Sequence, residues 1–166
     1  MTDRHALVAQ LHDAPLSLVL AVTGGGVAAI GDLLAVPGAS RTVLEVSVPY
    51  AEQALSDLIG ESPEQAVSSD TARAMAVACL KRAQHLGSGE VAGVGCTAAL
   101  VTDRPKRGDH RAHVCVATST NVATWSITLD KGRRDRTGED RVVADLVLRA
   151  IAMAAGVEGP EVVPAT

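Results

Sequence analysis

The chain has 166 residues, 47% of them apolar, and a net charge of −4. That length supports one domain burying about 70% of its unfolded surface, and no run approaches the ~20 apolar residues that a membrane crossing needs. The charged start Met1-Thr-Asp-Arg-His5 is unlike a secretory leader, so a cytoplasmic location is expected, and two aromatics, Tyr50 and Trp125, give no stacking platform for nucleic acid.

A helix is predicted over 4–13, where Leu7, Val8 and Leu11 recur at helical spacing until Ala14-Pro15 ends it. Residues 16–22 are apolar on both faces apart from Ser17, the pattern of a central strand between two helical layers. The strand runs into Thr23-Gly-Gly-Gly26 and a helical pattern over 25–35, stopped by Val36-Pro-Gly38. Where a strand meets a helix through glycines, main-chain N–H groups point outward at the positive end of the helix dipole and favour an anion. Gly24, Gly25 and Gly26 are therefore candidate phosphate-binding residues, with Thr23 as a cap whose hydroxyl also meets the ligand. The alternative is that these glycines only permit a tight turn.

Residues 41–48 alternate as a half-exposed strand does, and a short helix follows over 50–59. Ser68 or Ser69 caps a longer helix with Ala72, Met75, Ala76, Cys79, Leu80 and Ala83 as its buried stripe. The apolar, glycine-dotted run 91–100 reads as a second central strand, closely approached by something. Residues 112–118 and 122–129 form an antiparallel pair around Ser119-Thr-Asn121, and a last helix spans 138–155. A tail from 157, with Pro160 and Pro164, is expected to be loose. Five strands interleaved with about five helices imply one α/β domain over 1–156, a three-layer α/β/α arrangement with a mixed sheet of about five strands.

Thr23-Gly-Gly25, Val36-Pro-Gly-Ala-Ser40, Tyr50, Val67-Ser-Ser-Asp-Thr-Ala-Arg-Ala-Met-Ala76 and the order of strands after residue 91 resemble the C-terminal domain of the CinA family. The similarity covers residues 16 to 155, and Arg104-Pro-Lys-Arg-Gly-Asp-His110 resembles a divergent branch of it. The resemblance implies a CinA-like fold, a homo-oligomer, and a pocket for a small phosphorylated ligand such as a pyridine nucleotide, because the family includes nicotinamide mononucleotide amidohydrolases. In those enzymes a serine attacks the carboxamide and a lysine serves as its base. Their positions fall here on Ala21 and Leu55, while Tyr50 keeps the family's tyrosine. Alanine offers no lone pair and leucine takes no proton, so this route to an acyl-enzyme is closed.

Charge is concentrated in two places. Arg104, Lys106, Arg107 and Arg111 stand against Asp109, and Lys131, Arg133, Arg134 and Arg136 stand just before the last helix. Arg104, Lys106 and Arg107 are candidates to neutralise a bound anion, since such groups match phosphate or carboxylate oxygens. His110 is the one acid or base candidate in the basic segment, and Cys96 or Thr97 could act as a nucleophile only with a base nearby in space. His110 and His113 lack a third ligand at metal spacing, and Cys79, Cys96 and Cys115 read as reduced packing residues, so neither metal nor cofactor is expected. Three readings stay open: a binding domain for a phosphorylated nucleotide, a nucleotide amidohydrolase using Thr97, Cys96 or a water activated by His110, and a non-catalytic protein-interaction domain.

Overall fold

The two apolar runs flanked by glycine become the middle of the sheet. In the computed structural model, which describes residues 2–160, β1 (Ser17–Thr23) is buried along its whole length and β3 (Val91–Ala99) along all but its end residues. They pair in parallel, from Ser17 opposite Val91 to Thr23 opposite Thr97. β2 (Val43–Ser47) lies parallel to β1 on its outer side. β4 (His110–Ala117) and β5 (Val122–Leu129) continue antiparallel from β3, so the order is β2-β1-β3-β4-β5.

Alternation along the strands sends side chains into two separate cores. Leu18, Leu20 and Val22 of β1 pack with α1 (Asp3–Asp13), α2 (Ala28–Ala35) and α5 (Arg136–Ala155). Val19 and Ala21 pack on the other face with α3 (Glu52–Ile59) and α4 (Ser69–Leu86). The expected three layers and mixed five-stranded sheet are thus present. What approaches β3 closely is α4: an added Cβ would lie 2.0 Å from the Ala76 carbonyl oxygen at Gly93 and 2.5 Å from that of Ala72 at Gly95. Only glycine lets the helix backbone come so near the strand.

Boundaries differ from the sequence reading where turn chemistry intervenes. α2 begins at Ala28 rather than 25, because Gly24 and Gly26 take φ of 80° and 92° and make the turn themselves. α5 begins at Arg136, where Asp135 caps it by accepting from the Gly138 N–H. β4 starts two residues early, at His110. A single 3-10 turn over Ala39–Arg41, which periodicity does not reveal, leads into β2. Gly156 ends α5 in the left-handed region, with the Val157 N–H returning to the Ala152 carbonyl. Of the tail expected to be loose, Pro164 lies outside the described residues.

The connections also place the site. From β1 the chain passes through α2 to β2, whereas β3 leaves in the opposite direction towards β4. A crevice opens outside the carboxyl ends of neighbouring strands where such connections diverge. By that rule the position to examine here is beyond Thr23 and Thr97, at the carboxyl ends of β1 and β3.

Candidate functional site

The glycine turn after β1 is occupied by the protein itself. Asp140, on the second turn of α5, accepts at Oδ1 from the Gly26 N–H at 2.6 Å and the Val27 N–H at 3.1 Å, and at Oδ2 from the Ala28 N–H at 3.0 Å. A carboxylate already complements the positive end of α2, so these amides do not await an external anion. Backbone and side chains also approach the turn closely. A Cβ at Gly24 would fall 1.9 Å from the Ala98 carbonyl oxygen, and one at Gly25 2.4 Å from Leu100 Cδ1. The Gly26 amide, expected to meet phosphate, is thus taken by Asp140, and close packing requires glycine at Gly24 and Gly25. Thr23 is not the helix cap either, for Val27 holds that position and Thr23 is buried on the α4 face.

The candidate nucleophiles are equally committed. Cys96 is fully buried, its Sγ donates to the Gly25 carbonyl at 3.5 Å, and burial followed by the charge of Asp140 pushes its thiol up to about 12. Its thiolate is not formed at neutral pH. The Thr97 hydroxyl is buried and donates to the Ala66 carbonyl at 2.7 Å. His110 belongs to the other side of the sheet. Register sets Thr97 opposite His113, so Thr97 shares a face with His113, while His110 points with Ala112 and Val114 towards α5. No Thr97–His110 pair can form, and His110 and His113 face opposite ways and cannot share a metal ion. Cys96 lies opposite Val114, four residues from His110, or roughly 13 Å along the strand.

What His110 does is structural. Its Nδ1 donates to Glu139 Oε2 at 2.8 Å, and Glu139 Oε1 accepts from the Val101 N–H at 2.7 Å. Glu139 is fully buried, so one carboxylate on α5 ties both ends of the 101–109 loop. Lys131 Nζ pins the middle by donating to the carbonyls of Lys106 and Arg107.

Beside this clamped loop, cations from three elements gather near the ends of β1 and β3: Lys106 of the loop, Arg111 of β4 and Arg136 of α5. Arg136 donates through Nη1 to the Val101 carbonyl at 3.1 Å, and through Nη2 to the Gly24 carbonyl at 2.6 Å and Tyr50 Oη at 3.4 Å. It thereby bridges the ends of β1 and β3 and the segment after β2. Arg111 donates through Nη2 to the Val67 carbonyl, just before α4, at 3.0 Å and through Nη1 to the Asp109 carbonyl at 3.3 Å. Lys106 is half-buried between them: burial first, then the repulsion of Arg136 and Arg111, lowers its pKa against the attraction of Glu139. Tyr50 is 64% exposed at the rim. Arg104 and Arg107 are exposed further along the loop.

Two residues central to this arrangement, Glu139 and Asp140, escape sequence reading. Acids near a helix start look like ordinary dipole complements, and nothing in the chain's order tells that they reach Val101, His110 and Gly26. Arg136 carried a weak signal, as a cation placed at a helix start. The two positions that the resemblance compares with nucleophile and base lie together. Ala21 and Leu55 are both buried in one apolar cluster with Val19, Met75, Cys79 and Ala83.

The model of the CinA C-terminal domain matches residues 3–155. Among solved structures, the chain is similar to the competence/damage inducible protein CihA from Agrobacterium tumefaciens, at 18% identity and a TM-score of 0.67, over 94% of this chain and 96% of that one. It is also similar to a competence or damage-inducible protein from Enterobacter asburiae, at 18% identity and a TM-score of 0.69, over 94% and 98% of the two chains. A CinA superfamily protein from Enterobacter cloacae superimposes with a TM-score of 0.65 at 20% identity, over 93% and 89%. No curated protein shows significant similarity to the chain.

Proposed function

Since the chain belongs to the family of CinA C-terminal domains, we propose that it binds a small phosphorylated nucleotide or related anion in the crevice above β1 and β3 without hydrolysing an amide. Lys106, Arg111 and Arg136 take the anionic group, and Tyr50 at the rim contacts the rest of the ligand.

One observation carries this reading. Among the described residues, the Arg111 and Arg136 guanidiniums donate to main-chain carbonyls, with Tyr50 Oη as the one further acceptor, and to no carboxylate. Elsewhere arginines meet acids, as Arg4 and Arg141 meet Asp145 and Arg82 meets Glu45. Carbonyls orient a guanidinium but leave its positive charge uncancelled, and guanidinium groups recognise phosphate or carboxylate bidentately. The partial desolvation that lowers the Lys106 pKa strengthens its attraction for an anion as well.

Loss of hydrolysis follows from Ala21 and Leu55. Their cluster fills with apolar side chains the space between β1 and α3 where the resemblance places nucleophile and base, and Cys96 and Thr97 are buried and bonded elsewhere. Thermal unfolding with nicotinamide mononucleotide, its deamidated acid and inorganic phosphate tests the proposal. A ligand at a hundred times its dissociation constant adds about 2.7 kcal/mol of stability. At least one phosphate compound should raise the midpoint, with no ammonia released from the mononucleotide. Absence of any shift removes the binding reading, and ammonia release removes the claim of lost hydrolysis.

A further inference from the structure

Cys96 and Thr97 have no base beside them, but the two outer strands give one to a serine. The register places Ser126 of β5 opposite His113 of β4, and Ser126 Oγ lies 2.7 Å from His113 Nδ1. His12 and Thr42 make a similar pair at 2.7 Å, yet each is only 1% exposed. Ser126 is exposed and His113 half-buried, so a small molecule can reach the outer pair.

The turn between the strands fixes where the main chain of Ser126 points. The Thr118 N–H donates to the Asn121 carbonyl at 2.8 Å, which makes these two residues a hydrogen-bonded pair. Pairs alternate from there along an unbroken register, so Ala117–Val122, Cys115–Thr124 and His113–Ser126 are non-hydrogen-bonded pairs. In such a pair the Cα atoms lie about 4.5 Å apart and the side chains come close, while the N–H and C=O groups turn away from the partner strand. Among the described residues no strand lies outside β5. The Ser126 N–H therefore points out of the sheet edge, on the same residue whose hydroxyl meets the imidazole.

We propose that Ser126 is the nucleophile and His113 the base of an acyl-transfer site for small activated esters. The hydroxyl oxygen bonds to the ester carbonyl carbon and its proton passes to His113 Nδ1. The Ser126 N–H donates to the carbonyl oxygen as that oxygen gains charge. The carbon–oxygen bond to the alcohol breaks, the alcohol takes the proton from Nδ1, and the acyl group stays on Ser126. Water then gives a proton to Nδ1 and its oxygen bonds to the acyl carbon; Ser126 Oγ leaves with that proton and the acid is released. Burial, then Arg111, lowers the pKa of His113 from 6.5, so at neutral pH the ring is uncharged and Nδ1 can accept, with the ring proton on Nε2. A dyad with a single oxyanion donor suits esters of acidic alcohols rather than amides. Arg111 is on the same face, two residues along β4, and favours an ester that carries a negative group. This preference alone rests on Arg111 as read above.

The test uses para-nitrophenyl acetate for the site and para-nitrophenyl hydrogen succinate for the preference. The wild type should release nitrophenolate over many turnovers and, when quenched in acid and digested, carry the acetyl group on Ser126. Ser126→Ala and His113→Gln should each slow release by about a hundredfold or more with unchanged circular dichroism. The succinate ester should show a lower KM than the acetate, by a margin that shrinks in salt. Absence of acetyl on Ser126, or a rate unchanged in Ser126→Ala, which would make the imidazole itself the attacking group, overturns the proposal. Equal KM for the two esters overturns the anionic preference. Neither outcome bears on phosphate binding, which the thermal measurements with phosphate compounds decide on their own.

Discussion

Asp140 and Gly26, 114 residues apart in the chain, are joined by a 2.6 Å hydrogen bond that gives the second helix its cap from the last one. The N-terminus of α2 has no side-chain cap of its own, because Val27 stands in the capping position. One carboxylate therefore does the work of a local serine or aspartate and also fixes α5 against α2. The same contact helps to place Arg136 and Glu139, which sit with Asp140 on the first turns of α5.

Replacing Asp140 by alanine should destabilise the domain by about 3 kcal/mol, the scale for hydrogen bonds to a charged group whose partners are left buried. Asp140→Asn keeps acceptor capacity at one oxygen only and should fall between wild type and alanine. Urea unfolding measures both; a loss below about 0.5 kcal/mol for the alanine variant would show that the α2 amides find other acceptors.

Glu139→Ala should release the basic loop. Val101 N–H and His110 Nδ1 both lose their acceptor, so the 101–109 segment keeps only the Arg136 bond to the Val101 carbonyl, the strand pairing of His110 and the Lys131 bonds at its middle. Brief trypsin treatment should cut after Lys106 and Arg107 much faster than in the wild type, and equal cleavage rates would contradict the double clamp.

His12 makes stability depend on pH. It is buried between Thr42 Oγ1 at 2.7 Å and the Leu33 carbonyl at 2.9 Å, and burial chiefly lowers its pKa from 6.5, with Arg41 lowering and Asp13 opposing. The unfolded chain then binds a proton at a pH where the folded chain does not. Stability from this group is intact above 6.5 and declines as pH falls through 6.5 towards the lower folded value. The urea midpoint should drop between pH 7 and pH 5.5 more steeply in the wild type than in His12→Gln; parallel curves would assign the dependence to other groups.

Leu55→Lys should not rebuild a catalytic pair. The new ammonium would lie among Val19, Ala21, Met75 and Cys79 with no acceptor, costing at least about 3 kcal/mol. Together with Ala21→Ser it should give a destabilised protein that releases no ammonia from nicotinamide mononucleotide, and ammonia release would mean that the crevice still positions a carboxamide.

The thiols offer a check on burial. Cys79 and Cys96, each pushed up to about 12 chiefly by burial, should react with a thiol reagent only as fast as the chain unfolds. Prompt labelling of either in the native state would place it nearer the surface.

The layers, the sheet and nearly every element were legible in the sequence, because Leu18 to Val22 and Ala92 to Cys96 carry no polar side chain on either face and α4 shows its stripe at helical spacing. The site was legible only in part. Glycines after a strand signal a turn, yet whether their amides face a ligand or a distant carboxylate depends on Asp140, which tertiary packing alone brings there. The opposite faces of Thr97 and His110 likewise depend on the pairing of β3 with β4, a register that no local pattern fixes. The basic loop was visible as charge, but its closure through Glu139 was not.

Calorimetric titration with nicotinamide mononucleotide at low and high salt, in the wild type and in Lys106→Gln combined with Arg111→Gln, tests the central claim most directly. Saturable binding that weakens at least tenfold in the double variant and weakens with salt in the wild type is the predicted result, since both side chains supply positive charge to the crevice. Equal affinity in the two proteins, or no heat of binding in the wild type, would contradict it.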